Sequence, residues 1–286
     1  MTYTLPANIA DRPITIIGGG TLGRRIALML SLQGAEVRVF DTDLAVAKAA
    51  IEYIATQRHR AVEELGGNPA VRLAAKDNLV DALRDAWLVV EAVPEKLGLK
   101  QALFADLDQL AAPDAVLASN SSSFASSEFI GGVGSPERVL NMHFYMPPAV
   151  RSVELMSSGH TDPRIIELLM AELPKYALMP HRVRRQSTGF IFNRIWAAIK
   201  RESLLVVAEG VADPQDVDAL FADVFKSETT PFRFMDEVGL DVVLDIENHY
   251  CELAGMENKS APMLEEYIAN GWLGIKSGRG FYNDYA

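Results

Sequence analysis

The segment Ile14-Thr15-Ile16-Ile17-Gly18-Gly19-Gly20-Thr21-Leu22-Gly23-Arg24-Arg25-Ile26-Ala27 decides how the chain begins to fold. A short β-branched run ends directly in glycines and opens into a helical pattern that continues to Leu32, with Gly34 as its stop. Glu36 to Phe40 reads as a second strand closing on Asp41, so the stretch is one strand–helix–strand unit of a parallel sheet. In that context the glycine spacing has a mechanical meaning. Gly18 permits the tight turn, Gly20 lets a pyrophosphate approach the backbone, and Gly23 permits close packing of the helix. Thr21 and Leu22 open the helix whose N-terminus would receive the phosphates. Asp41, 23 residues after Gly18, is placed to accept hydrogen bonds from ribose hydroxyls, and its charge repels a 2′-phosphate. No Arg or Lys follows in Thr42-Asp43-Leu44-Ala45. The implied cofactor is NAD rather than NADP; a glycine turn with an Asp helix cap is the minority reading.

Outward from this unit, residues 44–82 read as helical with a break at Gly66-Gly67-Asn68-Pro69. Trp87 to Val93 reads as an apolar strand of the kind a parallel sheet buries on both faces, and Leu97 to Leu110 as a helix. Ala115 to Ala118 is another buried strand, opening into Ser119-Asn120-Ser121-Ser122-Ser123. A polar loop at a strand's C-terminal end is where open α/β sheets bind ligands, although a flexible serine turn explains the same residues equally well. After Ser187 helical patterns dominate: Gly189 to Glu209, Pro214 to Phe225, Phe232 to Ala254 and Met263 to Ala269. The expected architecture is an α/β, Rossmann-type, doubly wound and mainly parallel sheet domain over residues 1–186, followed by an all-helical domain over 187–286.

Charge follows the same division. Residues 1–186 carry 19 basic and 21 acidic side chains, and residues 187–286 carry 8 and 17, within a chain of 286 residues and net charge −11. The acidic balance argues against nucleic acid and against an anionic membrane surface, and the helical third is the less suitable place for phosphates. With 49% apolar and 23% charged residues, a disordered or collagenous chain is excluded. Cys251 is the single cysteine, which rules out an intrachain disulfide and suits a reducing compartment; its setting reads as a helix core. No signal-like or membrane-length apolar run occurs, and the expected location is cytoplasmic. Cysteine and histidine spacing gives no metal site.

Val139 to Met146 and Val150 to Met156 are two apolar segments separated by Pro147-Pro148-Ala149, and each contains one ionisable intruder, His143 and Glu154 respectively. An unpaired buried carboxylate is costly, so pairing between neighbouring strands is the economical arrangement. A carboxylate that orients an imidazole and raises its pKa is also an acid/base device. Alone, a histidine on an apolar strand reads as a satisfied core residue. His59, His160, His181 and His249 have no comparable setting. Asn193, among Phe190, Ile191, Phe192 and Trp196, needs a partner for its amide.

Taken as a set, IIGGGTLGRRIA (16–27), LVVEAVPEKLGLKQALF (88–104), ASNSSS (118–123), NMHFYMPP (141–148), SVELM (152–156), STGFIFNRI (187–195), MDEVGLD (235–241) and LGIKSGRGFY (273–282) resemble the short-chain L-3-hydroxyacyl-CoA dehydrogenase family, in order and over nearly the whole chain. The resemblance implies NAD at Gly18, Gly20, Thr21, Leu22, Gly23 and Asp41, with Glu95 and Lys100 near the nicotinamide end and Asn120 at the ribose or amide. It implies that His143 removes or returns the proton of a 3-hydroxyl, that Glu154 holds and charge-stabilises it, and that Ser122 and Asn193 position the substrate oxygens. It further implies a homodimer built through the helical domain and a part in fatty acid metabolism.

The chain departs from the family pattern in several places. Met146 stands where an asparagine is usual, and the His143 to Glu154 spacing of 11 looks one residue short. Thr229-Thr230 precede Pro231-Phe232 where a glycine is common. The helical segment between Asp41 and Val89 looks at least a turn shorter than usual and lacks a lysine-rich stretch for the CoA phosphates. Arg58 and Arg60 remain as candidates for them, with a solvated helix face as the other reading. Two substrate classes therefore stay open: a 3-hydroxyacyl thioester, and a non-CoA hydroxy acid or related C–O or C–N substrate. The intact set His143, Glu154, Ser122 and Asn193 speaks against a non-catalytic NAD-binding protein. A lysine-dependent dehydrogenase is set aside because Ala197 follows Asn193 by one turn and no lysine occurs before Lys200.

Overall fold

A computed structural model describes residues 3–285, and the chain divides into two compact units, Met1–Ile191 and Phe192–Ala286. In chain order the first unit runs β1 (Ile14–Ile17), α1 (Thr21–Leu30), β2 (Glu36–Phe40), α2 (Leu44–Leu65), β3 (Arg72–Lys76), α3 (Leu79–Leu83), β4 (Leu88–Glu91), α4 (Leu97–Leu110), β5 (Val116–Ser119), β6 (Val139–Phe144), β7 (Ser152–Ser157), α5 (Pro163–Glu172) and β8 (Met179–Val183). One eight-stranded sheet has the order β3-β2-β1-β4-β5-β6-β7-β8. Every neighbouring pair is parallel except β6 with β7. The strand order reverses between β1 and β4, the point where doubly wound sheets open a ligand crevice.

Burial on both faces explains the apolar strands. Leu88 and Val90 face the core shared with α1 and α2, which also takes Ile14 and Ile16. Val89 and Ile17 face the opposite core with Phe104 and Leu107 of α4. The one hydroxyl within β1, Thr15, is satisfied by donating to the Ala82 carbonyl at 2.6 Å.

Residues 70–82 differ from the helical expectation: Arg72–Lys76 is a strand, and only the five residues of α3 are helical. The alternation there is weak because β3 is an edge strand with no fully buried position. Its parallel pairing with β2, Glu36 opposite Arg72 through Phe40 opposite Lys76, overrides the helix propensity of Leu-Ala-Ala. Consequently β2 and β3 are joined by one 22-residue helix, α2, capped by the Asp43 carboxylate accepting the Ala45 N–H at 2.8 Å.

The second unit is helical: α6 (Phe192–Ala208), α7 (Pro214–Phe225), α8 (Pro231–Val238), α9 (Leu240–Ala254) and α10 (Ala261–Ala269). Where one helix was expected from Phe232 to Ala254, Gly239 at φ 99° and ψ 130° breaks it in two. Its core gathers Leu204, Phe232, Met235, Leu240, Leu264 and Phe281. Asp236, fully buried, accepts the backbone N–H groups of Phe281 (2.9 Å) and Tyr282 (3.0 Å) and the Tyr285 hydroxyl (2.7 Å), which fastens the glycine-rich ending. Cys251 is buried in α9. No helix of the described residues is long and apolar enough to cross a membrane.

The helix expected from Gly189 starts at Phe192 instead. Gly189 (φ 75°) and Phe190 (φ 54°) both occupy the left-handed region, which stops the helix from extending backward. For Phe190 this conformation costs on the order of 1 kcal/mol. It has two consequences inside the first unit: Phe190 packs with Met156 and Val183, and the Ile191 N–H reaches the Glu154 carboxylate at 2.8 Å.

Candidate active site

The parallel strands bring the loops after β1, β4 and β5 to one edge of the sheet. The Gly18 N–H bonds to the Phe40 carbonyl (2.8 Å), the Ala92 N–H to Ile17 (2.8 Å) and the Asn120 N–H to Glu91 (2.9 Å). Gly18, at φ 102°, carries its hydrogen where a Cβ would lie 2.6 Å from the Ala92 oxygen, and a Cβ on Gly23 would collide with the Gly18 carbonyl. A Cβ on Gly20 would meet nothing within 4 Å. The three glycines thus differ in kind: two are required by the protein's own backbone, and the third keeps a space open at the start of α1. No side chain caps that helix at Gly20, so its first N–H groups, including those of Thr21 and Leu22, are directed at that space. Asp41 is half-buried, accepting the Gly19 N–H (2.8 Å) on Oδ2 and the Asp43 N–H (3.1 Å) on Oδ1. A turn without side chains, an uncapped helix end and an oriented carboxylate fit the diphosphate and adenosine ribose of NAD.

Behind this cradle lies a polar cluster only partly visible in the sequence. Lys100, expected at the nicotinamide end, is turned inward at 1% exposure, and its ammonium is held by Glu91 Oε1 (2.8 Å), Glu91 Oε2 (3.0 Å) and Glu95 Oε2 (3.0 Å). Glu91, inside the strand read as apolar, is wholly buried and also accepts the Ser119 hydroxyl (2.6 Å) and the Val93 N–H (2.8 Å). Glu95 is a third exposed, and its Oε1 accepts the Ser121 hydroxyl and the Ser123 N–H (2.9 Å). Burial acts to raise the Glu95 pKa, but the Ser121 hydroxyl, the Lys100 ammonium and the Ser123 N–H together hold it below the usual carboxylate value. The effect is an ionised Glu95 fixed at the mouth of the loop after β4. Asn120 accepts the Phe144 N–H through Oδ1 (2.8 Å), which leaves its amide N–H groups to donate. Ser122 is exposed on the same loop.

His143 and Glu154 are directly opposite one another across the antiparallel β6–β7 pair. Nδ1 of His143 lies 3.2 Å from Glu154 Oε2, with the residues 5% and 2% exposed. A carboxylate only accepts, so Nδ1 carries a proton, and in the neutral ring the lone pair is on Nε2. The imidazole is stacked on Phe190 (4.7 Å, 21°) and meets Tyr145 edge-on (4.7 Å, 63°). Glu154 is further fixed by the Tyr145 hydroxyl donating to Oε2 (2.6 Å) and the Ile191 N–H donating to Oε1. The spacing of 11 residues, which looked short, is the spacing that sets the two side chains in register.

Asn193 stands half-buried in the first turn of α6, in the second unit. Lys200 is buried in that unit 3.1 Å from Glu247, whose other oxygen takes Arg201 at 2.6 Å. Arg58 is no free cation: it donates to the carbonyls of Ser31 (3.1 and 3.0 Å), Pro69 (3.0 Å) and Asn68, closing the loop after α2. Arg60 is exposed and paired with Glu64 at 2.6 Å. It lines a cavity of about 500 Å³ between α1, α2 and the Pro147–Ala149 segment, together with Arg25, Tyr53, Gln57 and Glu64.

The chain belongs to the 3-hydroxyacyl-CoA dehydrogenase family: residues 13–184 match its NAD binding domain and residues 189–284 its C-terminal domain. The family is one of NAD-dependent oxidoreductases. The chain is 30% identical over 279 residues to a probable 3-hydroxybutyryl-CoA dehydrogenase of Bacillus subtilis, covering 95% of this chain and 97% of that protein. It is 47% identical over 149 residues to the 3-hydroxyacyl-CoA dehydrogenase-like protein LAM1 of Cochliobolus heterostrophus, a match that spans 51% of this chain but only 31% of that relative. Among solved structures, one described as a diketoreductase with dual catalysis of dicarbonyl compounds superimposes with a TM-score of 0.82 at 26% identity, over 96% of this chain and 99% of that one.

Proposed function

We propose that the protein interconverts a 3-hydroxyacyl-CoA and the corresponding 3-ketoacyl-CoA, with His143 as the acid/base residue. The observation that carries this reading is the buried His143–Glu154 couple, in which Nδ1 is committed to a carboxylate and Nε2 keeps a lone pair for the substrate proton. NAD, when bound, takes hydride from the carbinol carbon or returns it to the ketone. Its diphosphate would be held by the backbone of Gly18, Gly20, Thr21, Leu22 and Gly23 and its ribose by Asp41; Glu95 and the Asn120 amide would contribute, with Lys100 acting through Glu95. In the oxidative direction His143 Nε2 takes the hydroxyl proton, and Glu154 stabilises the resulting imidazolium. In reduction the imidazolium gives that proton to the carbonyl oxygen. Positioned acid/base groups of this kind are worth about 10² to 10⁴ in rate. Ser122 and Asn193 are assigned to substrate oxygens on the strength of the family resemblance.

A second reading keeps this chemistry on a substrate without CoA, and the state of the α2 cations supports it. Arg58 is bound to backbone carbonyls and is not a ready partner for a phosphate-bearing handle, which leaves only Arg60, in an exposed pair with Glu64, of the two α2 arginines. The relative described as a diketoreductase is consistent with such a change of substrate. We also infer a cytoplasmic homodimer formed through the helical unit, where Val211, Leu220, Val224 and Phe225 are all more than 60% exposed. The assay follows NADH absorbance with acetoacetyl-CoA and, at matched concentration, free acetoacetate and other non-CoA ketones. Turnover of the thioester alone upholds the first reading. Turnover of free keto acids with none of the thioester, by protein that binds NADH, replaces it with the second.

A further inference from the structure

We propose that Tyr145 is a positioning residue that sets the basicity of His143 by donating its hydroxyl to the same oxygen of Glu154 that holds the imidazole. This rests on the reading of His143 as the acid/base residue. The Tyr145 hydroxyl lies 2.6 Å from Oε2 and the His143 Nδ1 lies 3.2 Å from that same atom. The phenol is thus the closer donor, and the imidazole makes the longer bond. Oε1 meanwhile accepts the Ile191 N–H at 2.8 Å, so both carboxylate oxygens are engaged. Half-buried Tyr145 has its pKa pushed up, by burial first and by the Glu154 contact second, so at neutral pH it is a donor and not a competing anion.

The chemistry of such an arrangement has a definite sign. A carboxylate facing an imidazole favours the imidazolium and raises its pKa; a second donor on the same oxygen draws charge away and moderates that rise. Removing the Tyr145 hydroxyl is therefore expected to raise the apparent pKa of the couple. The edge-on contact of the Tyr145 ring with the imidazole, opposite in kind to the stacked Phe190, keeps the phenol next to the pair. The other titratable group in register with Glu154 is His181 of β8, which is exposed and uses Nε2 on the Ser152 hydroxyl at 3.2 Å. Tyr145 is the phenol that touches the carboxylate.

The test is Tyr145→Phe, which removes one oxygen and keeps the ring. The His143 ring signal of the NAD-loaded enzyme is titrated by NMR, a tractable experiment with five histidines in the chain. The pH profile of kcat/KM for alcohol oxidation is measured in parallel. The expected result is an upward shift of the apparent pKa by roughly half a unit or more, whichever member of the pair holds the proton. In a Glu154→Gln background, where there is no charge to share, the same Tyr145→Phe change is expected to move the His143 titration by less than about a third of that. An unshifted titration in Tyr145→Phe, or an equal shift in both backgrounds, overturns the proposal. His143→Gln serves as the control for the underlying reading: an active His143→Gln enzyme defeats the acid/base assignment itself, whereas an inactive one with an unshifted Tyr145→Phe titration defeats only the role of Tyr145.

Discussion

Lys100→Met removes the one cation between two carboxylates while roughly preserving side-chain volume. Lys100 and Glu91 are 1% and 0% exposed, and the ammonium contacts both Glu91 oxygens and Glu95. Deleting one partner of a buried ion pair costs about 3–5 kcal/mol because the remaining charge stays in the interior uncompensated. Glu91 keeps the Ser119 hydroxyl and Val93 N–H, which softens the loss, but Glu95 loses its cation as well and faces Glu91 across the gap. The expected destabilisation is therefore about 3–5 kcal/mol, a large part of the roughly 5–15 kcal/mol that typically holds a folded protein together. Adding Glu91→Gln removes the stranded charge and keeps an acceptor for Ser119 and Val93, so the double variant is expected to regain at least about half of the loss. Urea unfolding followed by fluorescence of Trp87, buried beside β4, in a background with Trp196→Phe and Trp272→Phe, reads the transition of the sheet-bearing unit. A Lys100→Met protein within about 1 kcal/mol of wild type would show that the buried ammonium does not hold Glu91 in place, as would a double variant less stable than the single one.

The glycine loop separates structural from ligand-facing positions: Gly23→Ala forces a methyl onto the Gly18 carbonyl and is expected to cost several kcal/mol of stability, on the order of a severe core overpacking. Gly20→Ala enters open space and is expected to keep its melting temperature within a few degrees while weakening NADH binding by at least about tenfold, a contrast that thermal melts and fluorescence titration check. Equal melting losses in the two variants would contradict it. Because Glu95 is held below its ordinary value of 4.5, its ionised form contributes stability above that pH and the contribution fades as pH falls through the lowered value. Wild type is therefore expected to exceed Glu95→Gln in stability at pH 6 by a margin that narrows below pH 4.5, and a constant margin down to pH 3 would count against the assignment.

Much of this fold is readable because its signals are local. The run from Ile14 to Asp41 contains strand, turn, helix and carboxylate at fixed spacings, and the structure displays a steric cause at Gly18 and Gly23 and an open space at Gly20. His143 and Glu154 stand out for a different reason, as single charges in apolar strands that can only be tolerated together. The strand Arg72–Lys76 was not legible, because an edge strand has one neighbour and no buried face to impose alternation. Strand β8 and helix α5 drew no expectation; β8, with Pro180 and three exposed residues, has the composition of a loop. Glu91 was hidden because one acid among Leu88, Val89 and Val90 does not disturb an apolar pattern, although a buried acid nine residues before a lysine is itself a signal of pairing. The start of α6 depends on the left-handed Phe190, whose conformation goes with its stacking on His143 and with the bond from the next residue's N–H, that of Ile191, to Glu154 rather than with propensity.

The role proposed for His143 in handling the substrate proton is open to NADH oxidation by His143→Gln with the best ketone substrate, alongside NADH binding by the same preparation. Turnover is expected to fall by about 10² to 10⁴ while the NADH dissociation constant stays within about twofold of wild type. Turnover within a few-fold of wild type would contradict it.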